Sequence, residues 1–199
     1  MGERPVLNHV EMVYRPGERE AARAFFETLG FAVSDHEHGG PWLVIKVDPE
    51  AGPGIDNMLY ANEPTPAQQK FEEALDQALA TDAPLAAGLD RYRSIRQAHP
   101  QYIFHFGASL PTREEWAERV ERLREANRSH PLLAGRIDLD VREPGVPGAL
   151  GPLSQAFIHT DILATGPFAL GLLFDLQWRP DIAPGGVPPM EFPDMAAMG

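Results

Sequence analysis

Asn8-His9-Val10-Glu11-Met12-Val13, followed past Pro16-Gly17 by Phe25-Phe26-Glu27-Thr28-Leu29-Gly30-Phe31, decides how this chain folds. Alternation puts Leu7, His9, Glu11 and Val13 on one face of a strand and Val10, Met12 and Tyr14 on the other. Ala22, Phe25, Phe26 and Leu29 then make a one-sided apolar stripe on a helix, and Gly30 suits its stop. Further strands are expected at 31–33, 42–47 and 58–61, with turns at Gly39-Gly40-Pro41 and Gly52-Pro53-Gly54. One imidazole, His9, thus stands on a strand that feeds a helix and then another strand.

About half a chain later the plan recurs. Tyr102-Ile103-Phe104-His105-Phe106-Gly107 reads as a strand, and Thr112-Arg113-Glu114-Glu115 is a capping box. Trp116, Val120 and Leu123 form the buried stripe of the helix that follows. Ile137, Leu139 and Val141 alternate against Arg136, Asp138 and Asp140 in a strand, and 143–152 is a Pro/Gly loop. Residues 157–163 and 170–178 are expected to pair as a hairpin around Thr165-Gly166-Pro167.

Between the halves the pattern turns helical. Thr65 can cap a helix with Pro66 at its first position and Gln68 at its third, and Phe71, Leu75 and Leu79 share one face. After Asp82-Ala83-Pro84 a second stripe runs through Leu85, Leu89, Tyr92 and Ile95. This helical hairpin reads as packing, a dimer contact or a lid over a site. The chain therefore divides into 1–63, an inserted hairpin at 64–100, 101–179, and a Pro-rich arm at 180–199.

Composition narrows the function classes. The chain has 199 residues, 43% of them hydrophobic, enough to bury a core. Its 17 basic residues face 29 acidic ones, a net charge of −12, which argues against nucleic acid and anionic membrane surfaces as partners. There is no cysteine, so thiol catalysis and zinc–thiolate sites are excluded. The start, Met1-Gly2-Glu3-Arg4-Pro5-Val6, has no apolar signal core, and a cytoplasmic location is expected.

The first strand, the aromatic-pair helix ending in Leu29-Gly30-Phe31, the His105-Phe106-Gly107-Ala108 opening and the run Leu173-Phe174-Asp175-Leu176 together resemble the vicinal oxygen chelate superfamily. That superfamily includes glyoxalases, extradiol dioxygenases and bleomycin-resistance proteins. The resemblance covers most of 6–62 and 101–178. It implies an α+β fold: two βαβββ modules forming a curled mixed sheet around a cup, with the helical hairpin inserted between them. It also implies a divalent metal in that cup, a small-molecule substrate chelated through adjacent oxygens, and a homodimer. Three features depart from the family pattern: the closing carboxylate is Asp175 where Glu is usual, the insertion is long, and the last hairpin lacks an Asp-Pro-x-Gly turn.

On this resemblance His9, His105 and Asp175 are the metal ligands. Two imidazoles and a carboxylate leave positions open for substrate, a set that suits Fe(II) best, with Mn, Ni or Zn as alternatives. The competing reading makes His9 and His105 interior histidines satisfied by hydrogen bonds, and Asp175 a solvent-facing strand residue. His159 reads as a general base, an alternative ligand or a donor to a substrate oxygen, against a structural role. Tyr60 stands where the family places a further ligand or a substrate contact, against core packing. His36-Glu37-His38 lies in a turn and reads as no metal site.

Three functions follow. The first is a metal-dependent dioxygenase, lyase or isomerase. The second is a metal-free small-molecule binding protein of the same fold, with Trp42, Tyr60, Phe104 and Phe106 as cavity walls. The third is a partner-binding module acting through the insertion and the arm.

Overall fold

The computed structural model describes residues 9–50, 57–102, 105–146, 149, 151–164 and 173–178. Asn8, Phe104, the turns at 52–54 and 165–167 and the arm at 180–199 lie outside the described residues. The fold is α+β, with two mixed sheets and four α-helices, and no closed barrel among the described residues. No helix among them is long and apolar enough to cross a membrane.

The chain forms two compact units, each drawn from several stretches of sequence. The first takes described residues up to Asp76, with Arg119–Ile137 and Thr160–Leu172; the second takes Gln77–Glu118, Asp138–His159 and the residues from Leu173 on.

In the first unit β1 (His9–Tyr14) leads through α1 (Arg19–Thr28) to β2 (Ala32–Asp35), β3 (Leu43–Lys46) and β4 (Met58–Asn62). The sheet order is β2-β3-β4-β1, extended by a short β8 (Leu163–Ala164), and β1 lies parallel to β4. The expected alternation holds. Met12, Tyr14, Leu43, Ile45, Leu59 and Ala61 share the face that closes the core with Phe25, Phe26 and Leu29 of α1, all 5% exposed or less. Gly30 ends α1 at φ 80°, a conformation that L side chains resist, and Phe31 N–H returns to Phe26 O to close the helix end. Arg136 fastens this unit's separate stretches, ion-pairing with Glu18 at 2.8 Å and Asp161 at 2.9 Å.

In the second unit β5 (His105–Ser109) is followed by the start of α4 (Arg113–Ser129), whose residues from Arg119 on belong to the first unit, and then by β6 (Ile137–Arg142), β7 (Ser154–Thr160) and β9 (Leu173–Trp178). The sheet order is β5-β9-β7-β6, with β5 parallel to β9. One face is apolar: Ala108, Ala156, Ile158, Phe174 and Leu176 are buried, and the Trp116 indole donates to Leu176 O at 3.0 Å. In both units the opening strand therefore lies parallel to, and beside, a later one: β1 beside β4 and β5 beside β9.

Two expectations need correction. The anticipated hairpin of 157–163 with 170–178 is real only as β7 pairing antiparallel with β9, because Leu163 and Ala164 leave that sheet to pair with Tyr14 and Val13 of β1. The inserted hairpin forms as α2 (Pro66–Thr81) and α3 (Ala83–Ala98), but its apolar stripes do not make a core. Phe71, Leu85 and Tyr92 are 51%, 42% and 37% exposed, and the buried residue of α3 is Arg96.

Tyr14 is fully buried, and its hydroxyl donates to Pro41 O. Burial, then the charge of Glu63, pushes this phenol up to about 12. Its native pKa is raised, so its contribution is complete below the unfolded value near 10 and is lost as pH rises through about 12. The shift corresponds to about 3 kcal/mol. Ultraviolet titration is expected to show one of the four tyrosines ionising last, near pH 12, and Tyr14→Phe to remove that step. Four phenols titrating together near their ordinary value would contradict this packing.

Candidate functional site

Strand pairing decides which side chains meet, because residues opposite each other in a sheet share a face. In the second unit His105 pairs with Leu173, Gly107 with Asp175, Phe157 with Asp175, Gln155 with Gln177 and His159 with Leu173. His105, Asp175, Gln177, Gln155, Phe157 and His159 thus occupy the face opposite the apolar one. The structure brings His105 and Asp175 together on neighbouring strands. His159 flanks the same β9 position from the other side, about 10 Å from His105 along two strand spacings.

Asp175 is fully buried on this face, so the solvent-facing alternative does not hold. Its Oδ2 accepts from Gln155 Nε2 at 2.9 Å and from Gln177 Nε2. Among the described residues its Oδ1 has no hydrogen-bond partner, and neither has the buried Oε1 of Gln155. Burial pushes the carboxyl above its usual range, while the Gln177 and Gln155 hydrogen bonds and the nearby His105 pull it back down. Room for the side chain comes from Gly107, where a Cβ would stand 3.1 Å from Asp175 O and 3.5 Å from Asp175 Cβ. The His105 ring meets the Phe157 ring edge-on at 5.9 Å.

A carboxylate fixed through one oxygen by two amides, with an imidazole on the neighbouring strand, offers two of the three or more protein donors that a metal site uses. Among the described residues no three His, Asp or Glu side chains gather as a ready group for an ion.

The first unit repeats this register with other chemistry. His9 opens β1 as His105 opens β5, and Glu11 pairs with Tyr60 as Gly107 pairs with Asp175. Tyr60 is thus the counterpart of Asp175. His9 and Tyr60 meet edge-on at 5.5 Å, Tyr60 meets Trp42 at 6.3 Å, and His36 meets Trp42 at 5.7 Å. His9 is exposed and Tyr60 half-buried, so neither is core packing.

Beside the Asp175 cluster a cavity of ≈ 150 Å³ lies between α3 and the sheet, with Arg96, Pro100, Asp138, Phe157 and His159 in its walls. Arg142, 8% exposed, holds α3 to this face. Its guanidinium binds Asp140 Oδ2 at 2.7 and 2.9 Å and Ala98 O at 3.2 Å, and stacks 5.5 Å above Phe157.

Gln155, Gln177, Arg96 and Arg142 were not picked out from sequence. Gln177 had a signal, since it stands two residues from Asp175 on one strand and so on the same face. Arg142 continues the alternation of Asp138 and Asp140. Arg96 also had one, since it follows Tyr92 by one turn on the face of Leu85 and Leu89; Gln155 had none, because its partner is distant in sequence.

No protein-family model and no curated protein matches this chain. Among solved structures, the crystal structure of protein PA1353 from Pseudomonas aeruginosa is similar with a TM-score of 0.39 and 11% identity, over 89% of this chain and 100% of that one.

Gln155→Leu is expected to cost about 1–3 kcal/mol, because it strips a donor from a buried carboxylate. Removing that hydrogen bond raises the native pKa of Asp175 further. The wild-type advantage should then be smaller in acid, as the carboxyl takes up a proton, than at pH 7. Adding Asp175→Asn should recover most of the loss. Equal losses in acid and at pH 7 in urea denaturation would contradict the assignment.

Proposed function

We propose that this protein is a metal-dependent enzyme of the vicinal oxygen chelate type, acting on a small substrate with adjacent oxygen donors. The reading treats β1-α1-β2-β3-β4 and β5-α4-β6-β7-β9 as two βαβββ modules of the kind that curl around a cup. The observation that carries it is a buried Asp175 on the strand beside that of His105, with one carboxylate oxygen held by two amides and the other without a hydrogen-bond partner among the described residues.

In this reading Gln155 and Gln177 fix the plane of the Asp175 carboxylate, and His105 offers a ring nitrogen from the adjoining strand. The resemblance supplies His9 as the remaining ligand. Fe(II) suits this set best, with Mn, Ni or Zn as alternatives. The ion, when bound, supplies Lewis acidity that polarises a carbonyl or enediol oxygen. His159, on the same face, holds or moves the proton, and Phe157 keeps water from that side of His105. Tyr60, beside His9, contacts the substrate in the first module. The chemistry is dioxygenation or proton-shuttling lyase or isomerase turnover. A second reading, a metal-free binding protein of the same fold, draws on the cavity under α3, which needs no ion to form.

His105→Ala is expected to lower bound iron or manganese from stoichiometric to near zero and to abolish turnover, with circular dichroism unchanged. Full metal content or full activity in that variant would refute the enzyme reading. Wild-type protein without metal that retains a small organic ligand would favour the binder.

A further inference from the structure

The cavity between α3 and the sheet of the second unit is lined by charges that balance. Two arginines and two aspartates stand in its walls, and each has an opposite charge beside it. Arg93 pairs with Asp90 at 3.5 Å, Arg96 faces Asp138, and Asp140 is held by Arg142 at 2.7 Å. An anion or a cation entering this space loses hydration and meets no unanswered charge in return. A neutral guest leaves the balance intact.

The rest of the wall is apolar. Phe157 is 2% exposed and Pro100 is buried, yet both border the cavity. It measures ≈ 150 Å³, about the volume that holds a benzene-sized guest. Protein interiors leave few voids larger than a water molecule, because the lining atoms forfeit their contacts.

A rigid frame keeps this space open. Arg142 bonds Ala98 O at the end of α3 and Gln101 Oε1 just beyond it, each at 3.2 Å. The same guanidinium lies 5.5 Å over the Phe157 ring, so Arg142 stands between α3 and the sheet as a spacer. His105 meets the Phe157 ring edge-on at 5.9 Å. Phe157 is thereby fixed from two sides and is not free to turn and fill the space. A recess held in shape before its guest arrives is what a small-molecule site requires.

Outside the ion pairs, His159 and Gln97 supply the polar part of the lining. His159 lies two residues beyond Phe157 on the same face of β7. Gln97 is exposed on α3, and its amide both donates and accepts.

We propose that this cavity binds a small neutral molecule. Its apolar body, about one ring in size, lies against Phe157 and Pro100, and one uncharged hydrogen-bonding group turns toward Gln97 and His159. This assigns a ligand class to the metal-free reading, on which it rests for its biological meaning. Metal content and ligand binding are measured separately, so the two fail separately.

The test is isothermal titration of the full chain, in EDTA, with benzamide, benzoate and benzamidine, which share a shape and differ in charge. Benzamide is expected to bind about tenfold or more tightly than either ion. Acetamide, which keeps the amide and lacks the ring, is expected to bind about tenfold or more weakly than benzamide. Asp138→Asn removes the counter-charge of Arg96 and is expected to strengthen benzoate about threefold or more at low salt, with benzamide little changed. Arg96→Met removes the counter-charge of Asp138 and is expected to strengthen benzamidine in the same way. No binding of benzamide, an ion that binds as tightly as benzamide, or unchanged benzoate affinity in Asp138→Asn would overturn the proposal. Asp138 is exposed, so its variant decides the matter if Arg96→Met fails to fold.

Discussion

A carboxylate sealed into the face of a β-sheet has to be answered by its surroundings, and in this protein Asp175 sets the terms for the residues around it. Gly107 gives up a side chain so that Asp175 fits opposite it. Gln155 and Gln177 spend their amide donors on a single oxygen of the carboxylate. The other oxygen has no hydrogen-bond partner among the described residues, and an imidazole lies on the adjoining strand. A hydrophobic residue at this position would have been simpler to bury. A proton completes such an acid, as the proposed ion would.

The parallel pairing of an opening strand with a later one makes such a site available in each unit. It sets β1 against β4 and β5 against β9 in matching register, so position three of the opening strand faces an equivalent residue of its partner. The two units use that place differently. In one it holds a buried carboxylate; in the other Tyr60 stands there between the rings of His9 and Trp42. The same backbone plan thus yields a charged pocket in one unit and an aromatic row in the other. Chemistry here follows the side chains that the register aligns, and the fold supplies only the alignment.

Local physics made much of this legible from the chain alone. Alternation assigned the faces of β1, the left-handed Gly30 stopped α1, and the stripe of Trp116, Val120 and Leu123 is buried as its spacing implied. What escaped was non-local. Gln155 lies 20 residues from the carboxylate it serves, and Leu163 and Ala164 abandon the expected hairpin for a partner strand near the start of the chain. The inserted helices misled in a different way. Their apolar residues form a stripe, and Arg96 continues it one turn beyond Tyr92; Arg96 is buried while Leu85 and Tyr92 are exposed. Periodicity reports which residues share a helix face, and only tertiary contacts decide how much of that face is covered.

Paramagnetic broadening by Mn(II) reads the surroundings of Asp175 most directly. The side-chain amide resonances of Gln155 and Gln177, the two groups bonded to its carboxylate, are expected to broaden beyond detection at substoichiometric Mn(II) and to stay sharp in Asp175→Asn. Amide signals untouched by the ion in the unaltered protein, or broadened equally in the Asn variant, would show that no cation is held there.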